Sequence, residues 1–127
     1  MTKKGKITLE IGAVPEKHEL KTGEYFANRG YDVEFLKERA GQKTPDIEMC
    51  GYRWEIKSPK SARIRTFENT IKDAAKQSDF LIFDLRRISV PPDKFISKAE
   101  LEFSYRKKLK RVIIIVPGRR RHIDIKR

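Results

Sequence analysis

Asp46, Glu55 and Lys57 are the residues whose types and spacing could do chemistry. They fall in two alternating runs, Asp46 to Cys50 and Arg53 to Ser58, on either side of Gly51. That pattern predicts a tight β-hairpin. A turn at Cys50-Gly51 puts Asp46 opposite Glu55 and Glu48 opposite Arg53. A turn at Gly51-Tyr52 puts Asp46 opposite Lys57 instead. Both registers divide the faces alike, because successive side chains of a strand alternate. One face is apolar, with Ile47, Met49, Trp54 and Ile56; the other gathers Asp46, Glu48, Cys50, Arg53, Glu55 and Lys57.

Two carboxylates and a lysine on one face have two readings. One is a solvated sheet face with incidental ion pairs. The other is a site for a hard divalent cation, since Mg²⁺ takes about one or two protein carboxylates and fills its shell with water and phosphate oxygens. Asp46 and Glu55 would supply the carboxylates, and the Ile56 carbonyl a neutral ligand. Lys57 returns to the same face two residues after Glu55. There it could orient or help deprotonate an attacking water, or stabilise a crowded phosphate.

Composition narrows the partner. Lys and Arg number 30 against 18 Asp and Glu, a formal charge of +12 on 127 residues. That balance favours a polyanion, with nucleic acid ahead of a membrane surface. No run of about 18 apolar residues is long enough to span a bilayer, and no basic helix with a bulky apolar face stands out, so no membrane partner is expected. The start, Met1-Thr2-Lys3-Lys4, is not followed by a hydrophobic segment, so no secretory signal is expected. A single cysteine, Cys50, excludes an internal disulfide and a cysteine zinc cluster, with a reducing compartment as the default. His18 and His122 lack partners at metal or triad spacing and receive no catalytic role.

The elements that must position the hairpin follow from periodicity. The length suits one domain with one core, residues 1–127. Residues 1–14 hold a weakly alternating edge strand, Ile7 to Ile11. Pro15 stands where a helix tolerates proline, and Gly30 where helices stop. Between them Leu20, Gly23, Ala27 and Gly30 share one side, with Phe26 at its margin. Asp32 to Leu36 reads as a strand, followed by a polar loop from Lys37 to Thr44. After the hairpin and a basic connection, a second helix is expected from Thr66 to Ser78, with Phe67, Ile71, Ala74, Ala75 and Ser78 on one stripe. Phe80 to Leu85 and Val112 to Val116 are near-continuous apolar runs that suit strands covered on both faces. Between them the capping-box spacing of Ser97 and Glu100 predicts a helix start at Ser97, with Leu101, Tyr105 and Leu109 on its apolar face. Gly118 to His122 reads as a solvated charge run. The order is a mixed α/β sandwich.

Pro45-Asp46, eight further residues, then Glu55-Ile56-Lys57 resembles the PD-(D/E)XK nuclease superfamily. The superfamily's restriction-endonuclease-like core runs helix, three strands, helix, strand. The order from Pro15 to Leu85 is similar, so residues 15–85 would be the catalytic core and 89–127 a C-terminal addition of a helix and a strand. The resemblance implies a nuclease that uses Mg²⁺ or Mn²⁺, with Asp46, Glu55 and the Ile56 carbonyl as metal ligands and Lys57 catalytic. It also implies an acidic metal or water ligand on the first helix. Glu24 is the choice, at the edge of the Gly23/Ala27 stripe, with Glu19 and Glu16 as weaker alternatives; a surface glutamate paired with Lys21 or Asn28 would look the same. The second helix of such nucleases contributes Lys or Gln near the site, here Lys76 and Gln77. Lys60, Arg63 and Arg65 border the site as expected phosphate contacts.

A narrower resemblance covers Lys21-Thr22-Gly23-Glu24, Glu55-Ile56-Lys57-Ser58-Pro59 and Asp79-Phe80-Leu81-Ile82-Phe83-Asp84. It is similar to the C-terminal tRNase toxin modules of contact-dependent growth inhibition systems. This implies cleavage of tRNA in the cytoplasm and a cognate immunity protein as partner. The expected departure from a delivered toxin is that no delivery region precedes the domain, which makes the chain a freestanding relative or a fragment of a larger secreted protein. The rivals are a PD-(D/E)XK DNA endonuclease of mobile-element or junction-resolvase type, acting as a homodimer, and a nucleic-acid-binding module without activity.

Overall fold

The computed structural model describes residues 3–127. In chain order the elements are β1 (Ile7–Leu9), α1 (Lys17–Ala27), β2 (Val33–Phe35), β3 (Ile47–Met49), β4 (Tyr52–Lys57), α2 (Ile64–Gln77), β5 (Phe80–Asp84), a 3₁₀ turn (Leu85–Arg87), α3 (Asp93–Tyr105), β6 (Arg111–Ile115) and β7 (Ile123–Lys126). The seven strands form one sheet in sequence order. β3 and β7 run against the other five. From α1 to β5 the order is the expected helix, three strands, helix, strand. No helix among the described residues is long and apolar enough to cross a membrane.

The hairpin adopts the first of the two registers. Glu48 pairs with Arg53 and Ile47 with Trp54. Cys50 and Gly51 turn the chain with φ values of 56° and 80°, the left-handed pair that a two-residue hairpin turn requires. Continued by one residue, this register sets Asp46 beside Glu55.

The alternation of β4 and β5 divides two apolar layers. On one side Trp54, Ile56 and Ile82 join Phe26, Val33, Phe35 and Ile47 under α1. On the other, Leu81, Phe83, Val112 and Ile114 pack beneath α2 and α3 through Phe67, Ile71, Phe95 and Phe103. α1 lies close on β2: a Cβ at Gly23 would stand 2.7 Å from Phe35 Cζ. The α2 side is covered only in part, and Glu48 and Arg53 on the β3–β4 hairpin are left exposed there.

Four expectations need correction. α1 begins at Lys17 rather than Pro15. α2 begins at Ile64 rather than Thr66. α3 begins at Asp93, with Ser97 inside it. Its buried stripe is Phe95, Ile96, Ala99, Glu102 and Phe103, whereas Leu101 and Tyr105 are exposed. Two phenylalanines bury more apolar surface than the alternative stripe, and Glu102 joins them because Lys98 and Arg106 neutralise it. The C-terminal part also holds one strand more than expected. After the basic turn, Ile123 and Ile125 alternate onto the α2/α3 layer, and β7 pairs with β6.

Candidate active site

Asp46 stands one residue ahead of β3 and is tied to β4 at two points. Its N–H donates to the Trp54 carbonyl at 2.9 Å, and its Oδ2 accepts the Ile56 N–H at 2.7 Å. Glu55 lies between those anchors, so its side chain leaves β4 beside the Asp46 carboxyl. Lys57, on the same face, holds its Nζ 3.5 Å from Glu55 Oε2. A third carboxylate comes from the first turn of α1. Glu19 accepts the Glu16 N–H on Oε1 at 2.7 Å and lines both lobes of a groove together with Asp46.

Burial, and then the adjacent negative charge of Glu55, push the Asp46 carboxyl up to about 9, although the Ile56 N–H pulls the other way. Burial also raises Glu55, with the Lys57 ammonium opposing. Carboxyls this close release their protons as a pair, and the first charge disfavours the second. At neutral pH the chain alone therefore retains a proton here. A divalent cation fits the same place: the donors are hard oxygens, and their charge exceeds what Lys57 neutralises. Among the described residues no three His, Cys, Asp or Glu side chains are grouped so as to hold a metal ion by themselves. Asp46, Glu55 and the main chain at Ile56 are the groups that would hold Mg²⁺ or Mn²⁺.

These residues form the saddle of a two-lobed groove. The larger lobe, 460 Å³, is walled by Val14 and Pro15 ahead of α1, by Glu38, Gln42 and Thr44 of the β2–β3 loop, and by Gln77 of α2. The smaller, 340 Å³, is walled by His18, Lys57, Ser58, Pro59, Thr70 and Arg87. Glu16, Glu19, Asp46 and Glu55 line both.

The structure thus brings together Asp46, Glu55, Ile56, Lys57 and Gln77. Glu24 is not among them. It is exposed on α1, because Thr22, Gly23, Tyr25, Phe26 and Ala27 take the buried face of that turn. Glu19, more than a helical turn earlier, occupies the position expected of it. Lys60, Arg63 and Arg65 are exposed on the connection into α2 and its first turn, beyond the groove wall that ends at Pro59. Lys76 is exposed on α2, outside the walls of both lobes.

Sequence reasoning missed Arg87 and Thr70, and it set His18 aside. The signal for Arg87 was its place just after the apolar strand β5. In α/β sheets the residues that follow parallel strands gather at one end, where ligands bind, and β4 and β5 are parallel.

Residues 43–120 match the family model for the contact-dependent growth inhibition CdiA C-terminal domain. Comparison with curated proteins returns no match. Among solved structures, a chain of the CdiA-CT/CdiI toxin and immunity complex from Burkholderia pseudomallei is similar in fold. It matches with a TM-score of 0.71 and 24% identity, over 97% of this chain and 100% of that one. The segment matched by the family model is more than half of the chain and carries β3 to β6 with Asp46, Glu55, Lys57, Gln77 and Arg87. The chain belongs to the family of CdiA C-terminal domains of contact-dependent growth inhibition.

Proposed function

We propose that this domain is a divalent-metal-dependent nuclease of PD-(D/E)XK type that cuts tRNA as the toxic end of a larger secreted protein. The observation that carries the reading is the geometry of the saddle, where the register sets the Asp46 carboxyl beside Glu55 and Lys57 holds its Nζ 3.5 Å from Glu55 Oε2. A fold does not set a half-buried carboxyl against a buried one for stability, because desolvating and crowding two acids costs free energy that an apolar pair would not.

In this reading Asp46 and Glu55 hold a Mg²⁺ or Mn²⁺ ion, with the Ile56 carbonyl as a neutral ligand. When bound, the ion polarises the phosphate and lowers the pKa of its water. Lys57 donates hydrogen bonds to the attacking water and to the phosphate oxygens on which charge builds. Glu19 orients that water from the other side of the saddle. The formal charge of +12 draws in the substrate, and it also suits an acidic immunity protein as the partner that silences the domain. Family membership supports the toxin role, and the resemblance to a chain from a toxin and immunity complex supports such a partner.

The test is one assay with tRNA, single-stranded DNA and duplex DNA, each with Mg²⁺, Mn²⁺ or excess chelator. Cleavage of tRNA at one or a few loop positions, lost in chelator and restored by metal, is expected. Full activity in chelator would end the metal reading. Ready cutting of DNA with tRNA left intact would make the same centre that of a DNA endonuclease.

A further inference from the structure

Two cations, Lys57 and Arg87, and the imidazole of His18 line the smaller lobe. Two of the three already face carboxylates. Lys57 lies against Glu55, and His18 Nδ1 is 3.3 Å from Glu16 Oε2. Arg87 pairs with no carboxylate among the described residues. Its one hydrogen bond there is neutral, from a guanidinium NH1 to the Ser58 carbonyl at 3.1 Å. That bond fixes the side chain against the end of β4, one residue past Lys57.

The backbone beneath Arg87 is also fixed. It ends the 3₁₀ turn Leu85–Arg87, whose cap is the buried Asp84. The neighbouring Arg86 points the other way, to Asp84 and to the Lys21 carbonyl. One arginine of the pair is thus consumed by the fold, and the other is half-buried in the groove with most of its five N–H donors unspent. A partly desolvated guanidinium is stabilised by an anion whose planar oxygens it can grip at two points.

We propose that Arg87 is a substrate-binding residue that grips a phosphate of the nucleic-acid strand next to the one being cut. The inference rests on the nuclease reading. It assigns the smaller lobe to the sugar-phosphate chain, and it gives the strand a direction through the groove: backbone past Arg87, scissile phosphate at Asp46 and Glu55.

The test compares the wild-type chain, Arg87→Gln and Arg87→Lys, with a tRNA pool and a mixed-sequence DNA oligonucleotide as probes. Binding is measured across a salt series in excess chelator, so that no cleavage intervenes. Glutamine can still donate to Ser58, so its melting temperature should equal that of the wild type. Its affinity should fall about tenfold, and its salt slope should flatten by about 0.7 to 0.9, the value of one phosphate contact. Arg87→Lys should keep the slope and lose only part of the affinity. In cleavage with metal, Arg87→Gln should raise KM far more than it lowers kcat. Unchanged affinity and slope in Arg87→Gln, with a wild type that binds and cuts, would overturn the role of Arg87 alone. A wild type that binds neither probe in chelator and cuts neither with metal would overturn the nuclease reading along with it.

Discussion

Asp84 and Asp46 are two aspartates set against the same stretch of α1, and α1 gives them opposite neighbours. To Asp84 it presents Thr22, a fully buried hydroxyl that donates to Oδ2 at 2.6 Å. Arg86 completes the pairing, with NH2 at 2.8 Å from Oδ2 and Nε at 2.9 Å from Oδ1. To Asp46 the helix presents Glu19, another acid, and the hairpin adds Glu55. One carboxylate has its charge matched by donors on every side. The other is crowded by its own kind and retains a proton, which in the proposed function a divalent cation replaces. The residue type is the same; the difference between a scaffold carboxylate and a reactive one is made by the three or four groups around it.

Glu55→Gln separates function from scaffold most sharply. Cleavage should fall by about a thousandfold or more, on the order of 4 kcal/mol of transition-state stabilisation. The melting temperature should hold. A collapse of the fold would mean that Glu55 is a structural ion-pair partner of Lys57.

Asp84→Asn makes the same kind of change on the other side of the comparison, with the opposite expected result. It leaves Arg86 without its charge partner and should cost about 2 kcal/mol, below the usual figure for a buried pair because Arg86 is partly solvated. Thr22→Val removes one donor to a charged acceptor and should cost about 1.5 kcal/mol. Chemical denaturation measures both. Values near zero would erase the contrast.

Asp46→Asn should instead stabilise the chain in chelator, by a small amount that depends on pH. The Asp46 carboxyl is raised from 3.8 to about 9 on folding, so between those values the folded chain binds more protons than the unfolded one. Its contribution is whole below the lower value and is lost as pH rises through the higher. The variant should melt slightly above wild type at about pH 8, with the gap closing toward about pH 4. A gap that widens on acidification would reverse the sign and contradict the account.

The Asp46 half of this contrast could be read from residues alone, and the reasons are local. The hairpin was legible because a two-residue period, bracketed by Cys50-Gly51, fixes which side chains share a face whatever the register. That placed Asp46, Glu55 and Lys57 together. The acid from α1 was not legible in the same way. Which turn of a helix meets the start of β3 depends on how residues 10–16 lead into it, and the stripe of Leu20, Gly23 and Ala27 does not say whether Glu19 or Glu24 beside it reaches the hairpin. Arg87 depended on tertiary order, since only the parallel pairing of β4 and β5 sets Ser58 beside it. α3 was misread because two apolar stripes competed and the sequence does not say which one meets α2. β7 was short and followed three arginines, so the charge hid its alternation.

In the proposed function the crowded carboxyls of Asp46 and Glu55 are a place for a divalent cation, and thermal unfolding under metal titration reads that binding without relying on cleavage. Wild-type chain, stripped with chelator and dialysed, is melted with increasing Mn²⁺ or Mg²⁺ beside Asp46→Asn. A cation that binds only the folded state should stabilise the wild type by about 2.7 kcal/mol at a hundredfold excess over its Kd, raising the melting temperature by several degrees, while the variant moves little. A wild-type melting temperature indifferent to both metals, or a variant that gains as much as the wild type, would contradict it.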